Sequence, residues 1–404
     1  MLKGIDSEQA RPHNRRVVLE TIRLNEPISR AEIARHTGLA AQTVSNIVGD
    51  LISSELALSR GRRRGGMGQP AMEIELNPKG AFAVGLHLDQ DHVGTVLVDL
   101  KGNPISVINH REHFDTPEQA VGFLGEVVNQ TIADNDIPRT RLWGVGLALP
   151  GPVYETLGEG SSVSTPDRWV RGPVRDLLAQ ELNLPVFVEN DGTAAAIGEY
   201  WYASNKSLQS FLYVFLGLGL GGGLIFEGQP FRGFLGNAFE LGHLQVEPTG
   251  AVCRCGNRGC LELYASPLSL QRAMSAAGLG SLHPEEMAGL LETNAPWFSA
   301  WFDHATDRLA SAIVGFENIL DPQAIVFGGR LPRPFIERFV SSLEPLVASR
   351  RMRNREYKPK LLCAEVGEYA AALGAATLPI HTALAPDHAI LLKPSRAAIH
   401  AGRG

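Results

Sequence analysis

The sequence predicts an α/β protein in which a small basic helical head precedes a larger body of alternating strands and helices. Three observations predict it. Charge is unevenly divided: residues 1–72 hold 11 Lys/Arg against 7 Asp/Glu, a net +4, so the remainder carries −10 of the total −6. Helical spacing with a capping signature fills the first 56 residues, and an arginine-rich, glycine-rich stretch follows. From Ala81 the texture changes to short apolar runs punctuated by glycine. With 404 residues, 44% hydrophobic and 20% charged, the composition is that of an ordinary globular protein with room for two or three domains.

The head, residues 1–75, is legible turn by turn. Val17, Val18, Thr21, Ile22 and Leu24 recur at helical spacing over 14–24, and Pro27 interrupts the run. Ser29-Arg-Ala-Glu32 forms a capping box that opens a short helix, which Gly38 stops. A third helix is predicted from about Ala40 to Leu56, with Val44, Ile47, Val48, Leu51 and Ile52 inward. It presents Gln42, Thr43, Ser45 and Asn46 outward, short polar side chains of the kind that reach base edges and phosphates. Arg60, Arg62, Arg63 and Arg64 then sit in a glycine-rich wing ahead of the alternating Met72-Glu-Ile-Glu-Leu76, where they can follow phosphates or enter a minor groove. Helix, turn, helix and arginine wing in this order predict a winged helix-turn-helix that binds double-stranded operator DNA. A helical oligomerisation module with a solvated basic linker is the plainer alternative.

In the body, Phe82–Leu88, Val93–Leu100 and Ile105–His110 read as a three-strand meander, followed by a helix over 117–135 and a buried strand over 143–149. A further strand delivers Glu189-Asn190-Asp191 into a loop, and a helix is predicted over 193–204. Ser207 to Phe226 carries no charge and has the length of a bilayer span. Gly217, Gly219, Gly221, Gly222 and Gly223 in its second half favour strand, turn, strand, so no membrane insertion is expected. The N-terminus has no apolar export signal, and a cytoplasmic protein is expected.

The most informative stretch is Glu240-Leu-Gly-His243 followed by Cys253-Arg-Cys255-Gly-Asn-Arg-Gly-Cys260-Leu-Glu262. One histidine and three of the four cysteines fall within 18 residues. That set supplies four ligands to a tetrahedral zinc and leaves no position open for chemistry, so a structural Zn2+ is expected. Glu240 and Glu262 flank it, and on the residues alone they can orient the metal ligands.

Together, Pro150-Gly151-Pro152, Val188-Glu-Asn-Asp-Gly-Thr-Ala-Ala-Ala196, Gly217-Leu-Gly-Leu-Gly-Gly-Gly223 and the His-Cys block resemble the ROK family of bacterial repressors and sugar kinases. The resemblance covers nearly the whole chain and implies a two-lobed, actin-like ATPase (sugar-kinase-like) fold, with lobes over 80–200 and 201–385 and a tail over 386–404. It implies sugar contacts at Asn190, Asp191, Glu240, His243 and Glu262, with His243 binding zinc through one ring nitrogen and facing the sugar with the other. The family's Pro-Asn pair ahead of a Trp stands here as Pro166-Asp167-Arg168-Trp169, so Asp167 offers an acceptor-only carboxylate in place of an amide.

The same resemblance separates regulator from kinase. The family's first phosphate loop, Gly-x-Asp-x-Gly-Gly-Thr, is Gly85-Leu-His87-Leu-Asp89-Gln90-Asp91 here, with two added negative charges where phosphates would sit. The second, Gly-Thr-Gly, has Leu218 in place of the hydroxyl residue. Expected is a sugar-responsive repressor without enzyme activity, a homodimer or homotetramer whose paired heads are respaced through a hinge near residues 72–82. A sugar kinase with a DNA-binding head, using Asp191 as base, and a scaffold that binds a protein partner are the alternatives.

Overall fold

The computed structural model describes residues 7–62, 72–114, 116–151, 174–205, 207–234, 236, 238–352 and 357–384. Asp167, Arg63, Arg64 and the tail over 386–404 lie outside the described residues, as does the side chain of Arg62.

The head folds as its sequence requires. Helices α1 (Ser7–Asn25), α2 (Arg30–Thr37) and α3 (Ala41–Ser53) pack over a three-stranded sheet of β1 (Ile28–Ser29), β2 (Ala57–Arg62) and β3 (Met72–Leu76) in the order β1-β3-β2. The capping box forms in both directions: the Ser29 amide donates to Glu32 Oε2 at 2.9 Å, and the Glu32 amide to Ser29 Oγ at 3.3 Å. Gly38 takes φ +69° and donates its amide to Ala34 O, ending α2 as a left-handed residue must. Two boundaries differ from expectation. Helix α1 begins at Ser7, well before Asn14, and α3 ends at Ser53, after which Glu55 at φ 57° turns the chain into β2.

The body contains two five-stranded sheets of like design. The first runs β6-β5-β4-β7-β8, from β4 (Phe82–Asp89), β5 (His92–Asp99), β6 (Pro104–His110), β7 (Leu142–Leu149) and β8 (Val186–Asn190). Its helices are α4 (Pro117–Asp134), α5 (Val174–Leu182) and α6 (Asp191–Tyr202). The second runs β11-β10-β9-β12-β13, from β9 (Phe211–Leu216), β10 (Leu220–Phe226), β11 (Gln229–Pro230), β12 (Ala324–Gly329) and β13 (Lys360–Cys363). Its helices are α7 (Glu262–Ala265), α8 (Pro267–Ala276), α9 (Pro296–Leu320) and α10 (Arg333–Arg350). In each sheet an antiparallel meander is extended by two parallel strands. The uncharged stretch 207–226 is the β9–β10 hairpin, and no helix among the described residues is long and apolar enough to cross a membrane.

Helix α11 (Ala370–Leu384), which chain order assigns to the second lobe, packs on the first. A Cβ on Gly85 of β4 would lie 1.9 Å from Ala372 O, and one on Gly374 would lie 1.7 Å from Ala194 O of α6. The far end of α11 reaches the head: Ile380 and Leu384 share one buried cluster with Val18, Ile22, Leu51 and Ile74. The expected hinge near 72–82 is therefore not free. The Asn77 amide donates to Leu56 O, the Leu100 amide to Pro78 O, and a Cβ on Gly80 would stand 2.6 Å from Glu55 O. Lys101 pairs with Glu26 of the head at 2.8 Å, and Arg141 pairs with Glu55.

Overpacking a close contact costs about 1–3 kcal/mol. Gly374→Ala is therefore expected to destabilise the protein by at least that much in urea unfolding. Gly315→Ala, inside α9 with no atom within 4 Å of its would-be Cβ, is expected to be neutral or stabilising by about 0.5–1 kcal/mol. Equal effects would remove the helix contact from the account.

Candidate functional site

A cleft opens between the lobes, lined from the first by Asp89, Gln90, Gly151, Asn190 and Asp191 and from the second by the 217–222 turn, Phe239, Glu240, His243, Arg254 and Glu262. All the sugar-contact residues expected from sequence and described here thus face one space. Asn190 ends β8 and caps α6: its Oδ1 accepts from the Thr193 amide at 3.0 Å and its Nδ2 donates to Gly151 O at 3.2 Å. The helix accordingly starts at Asp191, not at Thr193. Half of the hydrogen-bonding capacity of the Asn190 amide is thereby used inside the protein.

Asp191 is buried and accepts from the Gly192 amide at 2.7 Å. Burial pushes its carboxyl well above the usual range; nearby Asp89 and then Glu240 add to the shift, and the Gly192 amide opposes it. Burial and the neighbouring Glu262 also raise Glu240, against a lowering pull from Arg254. Glu262 accepts from the Leu220 amide at 3.4 Å and lies 3.5 Å from Arg254 Nε. Arg254, the residue between Cys253 and Cys255, is a cleft residue that sequence reading passed over, having no motif of its own.

The glycines of 217–223 have a steric purpose. A Cβ on Gly222 would fall 2.0 Å from Leu241 Cδ2, and one on Gly219 would fall 2.6 Å from Glu262 Oε2. Conversely, a Cβ on Gly192 would fall 2.6 Å from the Gly222 backbone. The turn is pressed between α6 and the cysteine loop, which favours glycine at 222 and 223 whether or not a phosphate binds there.

His243, Cys253, Cys255 and Cys260 place one ligand atom each within 4.8 Å of one another. His243 Nδ1 lies 3.6 Å from Cys253 Sγ, and Cys255 Sγ lies 3.6 Å from Cys260 Sγ. A tetrahedral zinc with sulfur at about 2.3 Å spaces its ligands by about 3.5–3.8 Å. A disulfide needs about 2.05 Å. Burial and the two adjacent thiols push Cys260 up to about 12, a state that a divalent cation reverses. Burial lowers His243, which favours the neutral imidazole that binds metals. The donor set fits a metal ion.

The segment compared above with the first phosphate loop forms the tip of the β4–β5 hairpin. His87 is 1% exposed, both its ring nitrogens lack a hydrogen-bond partner, and it packs edge-on against His92 and Phe215. Asp89 and Asp91 are not the uncompensated charges that the sequence implied. Arg330 Nη1 donates to Asp89 Oδ2 at 3.2 Å and to Asp91 Oδ1 at 2.6 Å, and its Nε donates to Glu285 at 2.7 Å. Arg330 follows Gly328-Gly329 in the chain, but its partners Asp89 and Asp91 lie more than two hundred residues upstream, so no local pattern announced it. Gln90 lines the cleft, and Leu218 donates its amide to Asp89 at 3.4 Å.

On the head, Gln42, Ser45 and Asn46 are exposed on α3 and Thr43 is half-buried; Gln42 Nε2 donates to Asn46 Oδ1 at 3.0 Å. Arg60 is not a free wing residue: its Nε donates to Glu75 at 2.6 Å within the hairpin.

A family model described as the ROK family matches residues 83–382. The chain belongs to the ROK family. A second model, winged helix-turn-helix DNA-binding, matches residues 11–56. This ROK protein is 27% identical over 370 residues to a xylose repressor of Bacillus spizizenii, covering 91% of this chain and 94% of that protein. It is 32% identical over 224 residues to a glucokinase of Thermotoga maritima, covering 50% of this chain and 70% of that protein. A ROK family transcriptional regulator, described as a homologue of the E. coli MLC protein, shares the fold with a TM-score of 0.74 at 20% identity, over 95% of this chain and 100% of that one.

Because its folded carboxyl is raised, chiefly by burial, Asp191 leaves the fold unpenalised below the ordinary carboxyl range and costs it stability progressively as pH rises from that range up to the raised value, the full cost remaining above it. Asp191→Asn, which can keep the Gly192 bond, is expected to raise the Tm of the ligand-free protein at neutral pH. A lowered Tm would show that the carboxylate is compensated.

Proposed function

We propose that the protein is a transcriptional repressor whose hold on operator DNA is set by a sugar bound in the interlobe cleft. The observation that carries this reading is the convergence of Asn190, Asp191, Glu240, His243 and Glu262 on one cleft. Sugars present a fan of hydroxyls. Carboxylates accept several of these at once, each hydrogen bond to a charged group contributing about 1.5–3 kcal/mol. Arg254 supplies a donor beside them. The full-length similarity to a protein named xylose repressor supports regulation by a sugar, with a pentose first in line.

The metal in this reading is zinc, held by His243, Cys253, Cys255 and Cys260. It supplies rigidity and no reaction step, because its four positions are filled. Held through Nδ1, His243 keeps Nε2 for a sugar oxygen. Glu240 and Glu262, on either side of the cysteine loop, are thereby kept in register with Asn190 and Asp191 opposite.

DNA contact falls to Gln42, Thr43, Ser45 and Asn46 of α3 in the major groove, and to the wing arginines Arg62, Arg63 and Arg64. Arg60, paired with Glu75, braces the hairpin and has N–H groups left for a phosphate. A homodimer or homotetramer presents two such heads to two half-sites. Enzyme activity is not part of the reading. The guanidinium of Arg330 is seated on Asp89 and Asp91 where a nucleotide would need glycine amides, and Asp191 without a phosphoryl donor acts as a hydrogen-bond acceptor.

Operator fragments recovered by the protein from genomic DNA test the proposal. At constant salt, one member of a panel led by D-xylose, D-glucose and N-acetylglucosamine is expected to change operator Kd at least tenfold, with no ADP formed from ATP. A flat response across pentoses, hexoses and N-acetylated sugars contradicts it. Cys255→Ser is expected to lose zinc and sugar response together; a zinc-free variant that still responds would separate the metal from the sugar site.

A further inference from the structure

Arg330 is the largest fully buried side chain of the described protein, 1% exposed, and it spans the two lobes. Its backbone is fixed first. Gly329 takes φ +121° at the end of β12, where a Cβ would lie 2.4 Å from Leu216 O, and the Arg330 amide donates to that same carbonyl at 2.8 Å. The side chain then leaves the second lobe for the tip of the β4–β5 hairpin in the first. There Nη1 meets Asp89 and Asp91, while Nε stays with Glu285 of its own lobe. His283 of the second lobe reaches the other oxygen of Asp91 at 3.0 Å, and the more exposed pair Arg111–Glu286 crosses between the lobes at 2.7 Å.

A buried guanidinium is tolerated only when charge and hydrogen bonds are both met, and three carboxylates around one arginine are tolerated only while the arginine stays. With Arg330 in place the cluster holds opposite charges together between the lobes; without it Asp89 and Asp91 would face Glu285 with only His283 still on Asp91 and the more exposed Arg111–Glu286 pair still crossing. Asp89 also belongs to the cleft wall, and its Oδ2 receives both Arg330 and the Leu218 amide of the glycine turn. The charge cluster thus abuts the cleft that the proposed function assigns to sugar.

We propose that Arg330 is a positioning residue, a tethered cation that clasps the two lobes at the inner end of the cleft and sets the cleft to its ligand-ready width before any ligand arrives. No soluble ligand is needed to bridge the lobes at that end. A sugar then meets Asn190 and Asp191 on one side and Glu240 and Glu262 on the other already at working distance, so less ordering is charged against its binding. The clasp stands on the ion-pair geometry alone; its effect on sugar affinity rests on the proposed sugar cleft.

The test reads lobe opening without a sugar, so failure of the clasp and failure of the sugar reading are distinguishable. Amide hydrogen exchange of the full-length protein is compared for wild type and Arg330→Ala over residues 86–92 and 215–222, with residues 11–56 of the head as internal control. The expected result is at least tenfold faster exchange in the two cleft segments and none in the head, restored by millimolar methylguanidinium and not by equal methylammonium. Unchanged cleft exchange, or acceleration shared equally by the head, overturns the proposal. If Arg330→Ala does not fold, Asp91→Asn, at a half-buried site, takes its place, with a smaller acceleration in the same segments expected and none contradicting. For whichever of D-xylose or D-glucose the wild type binds, calorimetry on the folded variant is expected to show at least tenfold weaker binding; equal affinity denies the clasp its positioning role.

Discussion

The structure depends on one contact, the close crossing of α6 and α11. Gly374 sits against Ala194 O and Gly198 against Ala370 O, each so near that a single methyl group would overlap the opposing backbone. Backbones at this distance leave no side chain between them to slide or re-rotate, so the pair moves as a unit or not at all. The N-terminus of α6 is the cleft wall at Asn190 and Asp191. Its last turn carries Trp201, whose ring lies 4.3 Å beneath the guanidinium carbon of Arg23 in the head helix α1 and edge-on to His381 of α11. The last turns of α11 complete the core of the head itself. Cleft and head are two ends of one packed object.

That continuity changes how a ligand would act. A hinge would let the head wander and would ask the sugar to restrain it. A shared core means that any sugar preferring one lobe closure over another shifts the head with α6 and α11, by no more than its differential affinity for the two shapes. The charged contacts are arranged accordingly: Lys101 with Glu26 and Arg141 with Glu55 fasten body to head, while Arg330 fastens lobe to lobe. The cysteine loop is the third fixed point, bracing the second-lobe wall against the glycine turn.

Legibility in the sequence follows the range of the interactions. The capping box, Gly38 and the His-Cys block are settled by neighbours within about twenty residues, and each was readable and correctly placed. The meander strands were readable because β4 and β5 are buried along their whole length and carry unbroken apolar or small residues over Phe82–Leu86 and Val96–Val98, the buried polar side chains His87, Asp89, His92, Thr95 and Asp99 falling outside those runs. What the sequence concealed is long-range. Arg330 finds Asp89 and Asp91 across more than two hundred residues, α11 returns to a sheet formed at the other end of the body, and the 72–82 segment looks like a linker until the turn at Glu55 packs on it. The glycines of 217–223 were visible as the marks of a strand, turn, strand, but the close packing of Gly222 on Leu241 and of Gly223 on Gly192 was not. The start of α6 is a local exception: Asn190 caps the helix through the Thr193 amide, which places the first helical residue at Asp191, two residues before the expected start.

The most direct test of the central claim, that cleft and head are coupled through α6 and α11, is a thermodynamic one. Sugar Kd is measured with and without saturating operator, in wild type and in Trp201→Leu, which removes the platform under Arg23 while leaving the cleft residues in place. Linkage requires that the operator change sugar affinity by the same factor as sugar changes operator affinity. The account predicts a factor well away from one in wild type that falls towards one in Trp201→Leu, with sugar affinity in the absence of operator retained. Full coupling in a folded Trp201→Leu variant would contradict it.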